Sequence, residues 1–560
     1  MRLSIFSFVV AATLALSTAQ AQAPRDAVLV NGRIYTLNDT KPTATALSIL
    51  GDRIMEVGTD EEVLAASAAG TQVLDLAGKT VVPGFIDAHG HLLNLGLGLQ
   101  QLNVTGTATY QAIIDAVAAR ATQTPPGNWI LGRGWDQNDW PEKAFPEHAA
   151  LSAMSLHNPV SLVRVDGHAL LVNATALALA GITAQTPDPE GGKILRDATG
   201  NPTGVLVDNA MALVRSVVPT PTPEQKREAI KLAIGECLRH GVTSVHDAGV
   251  DAATLALYRE MIDAGEFPLR DYAMIAATDV EAVNVAFTAA PLIGYGDGRL
   301  TIRSVKAFAD GALGSRGAAL LEPYTDEPGN TGLLLTTPEA LQTLTERALK
   351  TGFQIATHAI GDRANRMVLD VYTAALAAAG LDPKNNDARL RIEHAQVVAP
   401  EDFARFAELR VIASMQATHA TSDMPWAEAR LGPERVKGAY AWQRFLKAGA
   451  RIANGSDFPV EAVNPLWGFY AAVTRQDHAG QPAEGWYADQ RMSRDEALRS
   501  FTRDAAFAAF EEADKGAIET GKLADLVVLD RNIMEIPPAE ILQTNVVMVF
   551  FGGKVAYAAQ

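Results

Sequence analysis

Apolar and polar positions change rhythm twice along the chain. Near the start, short runs with strand-like alternation cover 27–31, 33–37, 46–50, 53–57 and 73–76, with Asn31-Gly32 and Gly51-Asp52 as turn signals. The same rhythm returns at 526–529, 546–551 and 554–557, where Gly552-Gly553 supplies a hairpin turn. Neither end carries enough strands for a stable sheet of its own. The pattern therefore predicts one composite β-sandwich from 22–80 plus 515–560.

Between these ends, apolar runs that finish in polar residues alternate with Ala/Leu/Glu-rich stretches of helical period. The strand-like runs are 81–91, 240–249, 269–277, 300–310, 353–362, 389–398, 411–420 and 450–459. Helical stretches such as 252–264, 338–350, 364–379 and 400–409 lie between them. Eight β units, most joined by helices, predict an α/β fold: a (β/α)8 TIM barrel made of 81–91 plus 240–514. A doubly wound open sheet is the alternative. The gap from 92 to 239 is too long for one crossover helix and carries strand signals at 129–133, 160–165 and 204–207. It reads as an inserted α/β subdomain after barrel strand 1, placed to act as a lid.

Composition narrows the partners. Over 560 residues, 48% hydrophobic and 20% charged describes an ordinary soluble globular protein. A net charge of −17 argues against nucleic acid or an anionic membrane as partner. Cys237 is the one cysteine, which excludes an intrachain disulfide and a thiolate metal cluster. Arg2, the apolar run behind it and Ala19-Gln20-Ala21 read as a signal peptide over 1–21, and hence as an exported protein, periplasmic or secreted. No further transmembrane span is expected, and oligomeric state stays open.

The chemistry sits at the strand ends. In Val81-Val82-Pro83-Gly84-Phe85-Ile86-Asp87-Ala88-His89-Gly90-His91, alternation puts His89 and His91 on one face, where they can share a cation. Corresponding ends carry Lys306 on strand four, His358 on strand five, His394 on strand six and Asp457 on strand eight. Barrel active sites occupy this rim. Lys306 shares an inward face with Ile302 and Ser304. An ammonium buried beside cations is disfavoured, whereas the neutral amine can take up carbon dioxide as an anionic, bridging carbamate. A salt bridge from Lys306 to Asp310 is the competing reading.

These segments, with Lys306-Ala307-Phe308-Ala309-Asp310-Gly311, Thr357-His358-Ala359-Ile360-Gly361-Asp362, Ile392-Glu393-His394 and Gly455-Ser456-Asp457, resemble the amidohydrolase superfamily, in its family 3 branch of the YtcJ type. The resemblance implies a metal-dependent hydrolase cleaving a non-peptide C–N bond of a small amide, N-acyl or N-formyl compound by attack of a metal-activated hydroxide. It implies two divalent ions, zinc first, with iron, manganese, cobalt or nickel as alternatives. His89, His91 and Asp457 would hold one ion and His358 and His394 the other, with N6-carboxylated Lys306 as bridge and Asp457 as catalytic proton carrier.

Trp135, Asp136, His168, His246, Arg316 and Gln416 are candidate substrate-binding residues, and His419 lies near Gln416 at the end of strand seven. A hydrolytic deaminase, a lactone or ester hydrolase and a non-catalytic binding protein are the competing functions. The lysine counts against the first, and the retained proton carrier against the last.

Overall fold

The computed structural model describes residues 23–165 and 167–559, so the proposed signal segment 1–21 lies outside the described residues. Eight parallel strands form the barrel in chain order: β1 (Phe85–Gly90), β2 (Val242–Val250), β3 (Arg270–Ala276), β4 (Leu300–Phe308), β5 (Gln354–Ala359), β6 (Arg391–His394), β7 (Ile412–Gln416) and β8 (Ile452–Gly455). Each pairs with the next, which excludes the doubly wound order. The ends of β8 and β1 are joined by side-chain chemistry. Asp87 accepts the Ser456 N–H at 3.0 Å and the Ser456 hydroxyl at 2.6 Å, and the Asp457 N–H donates to His89 O at 2.7 Å.

Both chain ends build the flanking sandwich. Arg53–Gly58, Ala46–Leu50, Ala27–Val30 and Gln72–Asp75 form one sheet. Lys554–Ala558, Val546–Phe551, Leu526–Leu529, Thr80–Pro83, Arg33–Tyr35 and Thr43–Ala44 form the other. Leu29, Leu47, Ile49, Val81, Leu526 and Phe550 share the core between them.

This corrects the expected start of the barrel. The apolar run from Val81 is two strands: Thr80–Pro83 pairs with Leu526–Leu529 in the sandwich, and β1 begins only at Phe85. Gly84 is the joint, where an added Cβ would lie 2.2 Å from Thr243 Oγ1.

The segment after β1 carries its own six-stranded sheet, and returns to β2 through the helix Pro223–Arg239. That helix packs on Leu92–Gln100 closely enough that a Cβ on Gly96 would lie 1.9 Å from Ala229 O. Three strands of this sheet, Leu102–Asn103, Ala169–Val172 and Gly192–Arg196, went unpredicted. Among the described residues no helix is long and apolar enough to cross a membrane.

Asp271 on β3 is buried with neither carboxylate oxygen hydrogen-bonded. Burial, then the charges of Asp247 and Glu511, push its pKa well above the usual carboxylate range. A carboxyl whose folded pKa is raised binds its proton more tightly folded than unfolded, so its contribution to stability falls as pH rises above the ordinary Asp value. Asp271→Asn is therefore expected to raise the thermal midpoint, and by more at pH 8 than at pH 5. A gain that is equal at both pH values, or a loss at pH 8, would contradict an unpaired buried carboxyl.

Candidate metal centre

The six rim residues converge. His89 lies on β1 and His91 one residue beyond it, at the start of Leu92–Gln100. The turn after His91 is fixed by Asp247, which accepts the Leu92 N–H at 3.0 Å and the Tyr258 hydroxyl at 2.6 Å. The Lys306 Nζ lies 3.1 Å from His89 Nε2. Asp457 Oδ1 lies 3.1 Å from His91 Nε2 and 3.7 Å from His89 Nε2. The His394 ring centroid is 4.9 Å from that of His89 and 4.5 Å from that of His358.

Backbone strain shapes this rim. His394, Ala395 and Asp457 all have left-handed φ, at 71°, 40° and 61°. Such residues cost about 1–3 kcal/mol each and persist where surrounding structure imposes them. The consequence is local. Arg391 and Glu393 point into the barrel as alternation requires, and the turn at His394 swings its imidazole back over the same centre.

Burial sets the protonation states. It lowers the pKa of His89 to about 4 and of His358 to about 3, in each case helped by the Lys306 charge. His394 is held well below its ordinary value by burial and by the neighbouring imidazoles. These rings are neutral at pH 7 and offer lone pairs. Burial also lowers Lys306 to about 8, against the pull of Glu393 and Asp457, which gives it a population of free amine. Burial opposes ionisation of Asp457, but His91 and the nearby imidazoles outweigh it and hold the carboxyl well below the usual range.

Glu393 does not appear among the sequence candidates. It accepts the His89 Nδ1–H, and Arg391 forks onto it at 2.7 and 3.1 Å. Arg391 also reaches Ser414 Oγ at 2.9 Å and His246 Nδ1 at 2.9 Å. On His394, Gln416 Oε1 engages Nδ1 at 2.8 Å. Both rings are thereby oriented with Nε2 turned toward the centre, the usual arrangement around metal-binding histidines. The spacing Arg391-Ile392-Glu393, opposite charges on one strand face, was the available signal.

The donor set fits a divalent cation. Ligand atoms of His89, His394 and Asp457 all lie within 4.8 Å of one another. The Nε2 atoms of His358 and His419 are buried with no hydrogen-bond partner, a condition costing about 1–3 kcal/mol each unless a ligand takes them. Asp310 is turned to backbone: it accepts N–H groups from Ala319, Ile360 and Gly361 at 2.8–2.9 Å. The salt bridge with Lys306 is accordingly not formed.

None of the six proposed substrate residues lines the cavity over this centre. Trp135 is buried in the insertion with its Nε1–H on Leu162 O at 2.8 Å, and Asp136 pairs with Arg164 at 2.6 Å. His168 is exposed and meets Asp208 at 2.9 Å. His246 is spent on Arg391, Gln416 on His394, and the Arg316 fork on Asp326 at 2.9 and 3.2 Å. A cavity of about 400 Å³ opens over the centre, with walls that include Phe308, Leu313, Gln396, Asp423, Trp426 and Glu461. Among its described lining residues none comes from 92–239. His419 does reach the cavity, 3.8 Å from Asp457 Oδ2.

The model of the amidohydrolase family matches residues 72–557. The chain belongs to this family. It is 36% identical to Protein LONG AFTER FAR-RED 3 of Arabidopsis thaliana, over 97% of the chain and 94% of that protein. It is 31% identical to the putative amidohydrolase YtcJ of Bacillus subtilis (95% and 99%) and 30% identical to the N-substituted formamide deformylase of Arthrobacter pascens (95% and 98%). A solved structure of an uncharacterized metal-dependent hydrolase from Pyrococcus furiosus superposes with a TM-score of 0.75 at 29% identity, over 91% of this chain and 100% of that one. The family-3 resemblance read from the motifs thus holds, and the chain is a metal-dependent hydrolase acting on carbon–nitrogen bonds.

Glu393→Gln is expected to weaken metal affinity about 10–100-fold, as loss of a carboxylate behind a metal-binding histidine does. Competition with a graded chelator measures it. Affinity equal to wild type would mean that His89 does not need this partner.

Proposed function

We propose that the enzyme hydrolyses the C–N bond of a small N-acyl or N-formyl amine, with His89, His91, Lys306, His358, His394 and Asp457 holding two divalent ions and Lys306 carboxylated between them. The observation that carries this reading is the convergence of neutral imidazoles, a depressed carboxyl and a partly deprotonated lysine on one rim. The likeness to a formamide deformylase supports the choice of bond. Nitrogen and oxygen donors of this kind suit zinc first. When bound, the ions supply a water acidified toward neutrality and a Lewis acid for the substrate carbonyl.

The remaining work falls to the chain. Glu393 and Gln416 fix the two rings, and His91 holds Asp457 in place at 3.1 Å. Asp457, kept ionised, accepts the proton of the attacking water as the C–O bond forms. It returns that proton to the nitrogen as the C–N bond breaks. The motif at 1–21 further supports export, which N-terminal sequencing of the mature protein would test.

Asp457→Asn is expected to lower kcat on an N-formyl amine by about 10²–10⁴-fold, read in a metal-loaded steady-state assay. Turnover at the wild-type rate would remove Asp457 from the proton path. Chelation should abolish activity, and divalent ion with bicarbonate should restore more of it than the ion alone. Equal recovery without bicarbonate would count against a carboxylated Lys306.

A further inference from the structure

The outer wall of the cavity carries charge of one sign. Beyond the six rim residues, its charged lining side chains are Asp423 and Glu461, both acidic, and no arginine lines it among the described residues. Asp423 stands on the helix Ala417–Arg435 one turn after His419, and Trp426 follows on the same face at i+3. Its Oδ2 is fixed by the Tyr440 hydroxyl at 2.6 Å and by Gln396 Nε2 at 3.3 Å. Glu461 follows β8, lines the same cavity and forms no ion pair among the described residues.

The arginines nearby are paired with other groups, although the Arg430 guanidinium also stands 5.6 Å from the Trp426 ring. Arg316 and Arg430 both close on Asp326, and Arg435 donates to the carbonyls of Glu322 and Pro323 at 2.7 and 2.8 Å. The two lining carboxylates share one cavity, and the charge of Glu461 acts on Asp423. Burial raises the Asp423 pKa and Glu461 adds to the rise, while His419 and the Tyr440 hydroxyl work against it. A cation placed between Asp423 and Glu461 would relieve that repulsion, and an anion would compound it. Trp426 and Phe308 offer aromatic surface beside them, which suits an organic ammonium.

We propose that this wall selects substrates whose organic substituent carries a positive charge, held by Asp423 and Glu461, and rejects carboxylate-bearing amides. The inference rests on the N-acyl amine reading above, and names its substrate class. It also replaces the expectation that Arg316 binds substrate.

Three N-formylbenzylamines of similar size, with para-aminomethyl, para-methyl and para-carboxylate groups, test it on the metal-loaded enzyme. The expected order of kcat/KM is cation, neutral, anion, with about tenfold or more between the extremes, as for a charge partly shielded from solvent. Glu461→Gln and Asp423→Asn should each shrink that ratio. Should Asp423→Asn unfold because Tyr440 and Gln396 lose their acceptor, Glu461→Gln alone still decides. An absent or reversed order, or an order that Glu461→Gln leaves unchanged, overturns the proposal.

Binding of the matching free amines, followed by isothermal titration calorimetry, separates the two readings. Charge-ordered binding that Glu461→Gln flattens, without turnover of any formamide, would sink the hydrolysis of N-formyl amines but uphold the charge selection. Binding with no charge order would overturn the selection whatever the turnover.

Discussion

The centre depends on a pair of charges that no solvent reaches. Arg391 and Glu393 are fully buried in the barrel, where removing each ion from water costs several kcal/mol. Burial alone would protonate Glu393, and the guanidinium with the His89 contact reverses that and holds its pKa well below the usual value. The arrangement is saturated with hydrogen bonds: Arg391 reaches Glu393 on its own strand, His246 on β2, Ser414 on β7 and the Ala88 carbonyl on β1. One guanidinium therefore ties four barrel strands to one carboxylate. Glu393 then presents to His89 the oxygen that it shares with one arm of the Arg391 fork. Because that oxygen takes the Nδ1 proton, the Nε2 lone pair is committed to the rim. A hydrophobic pair in the same place would pack as well, but it could not choose a tautomer.

Position then follows from closure of the barrel. Asp87 gathers the N–H of His89 and both donors of Ser456, so the loops that carry His89 and Asp457 share an anchor. Asp247 does the same for the turn behind His91. The left-handed Asp457 follows directly on the anchored Ser456, and the left-handed His394 is held through Nδ1 by Gln416. Strand alternation alone could not bring Glu393 and His394, neighbours in sequence, to bear on a single centre.

The same contrast explains what could be read from the chain. Strand ends bearing His89, Lys306, His358, His394 and Asp457 were legible because a period of two and a common rim follow from backbone geometry. The boundary at Gly84 was not, since an unbroken apolar run hides a hand-off between two sheets. Val81 packs in the sandwich core, and Val82 and Phe85 pack in the barrel core. The substrate wall was illegible for another reason. Whether an aromatic or acidic side chain meets the cavity depends on how a loop or helix returns, and local pattern does not encode that. Trp135 looked like lining and proved to be insertion core, whereas Trp426 and Asp423, which line the cavity, were not among the sequence candidates.

Lys306 joins the two levels. With Nδ1–H committed to Glu393, His89 Nε2 is an acceptor, and at 3.1 Å an ammonium on Lys306 donates to it. That contact occupies the lone pair a divalent ion would require. The neutral amine holds that lone pair more weakly and brings no charge to repel an ion, and a carbamate would turn the same side chain from competitor into ligand. Burial, which takes the lysine to about 8, favours the amine. In the proposed centre, ion binding and lysine carboxylation thus favour one another, through a proton that must leave before either can occur.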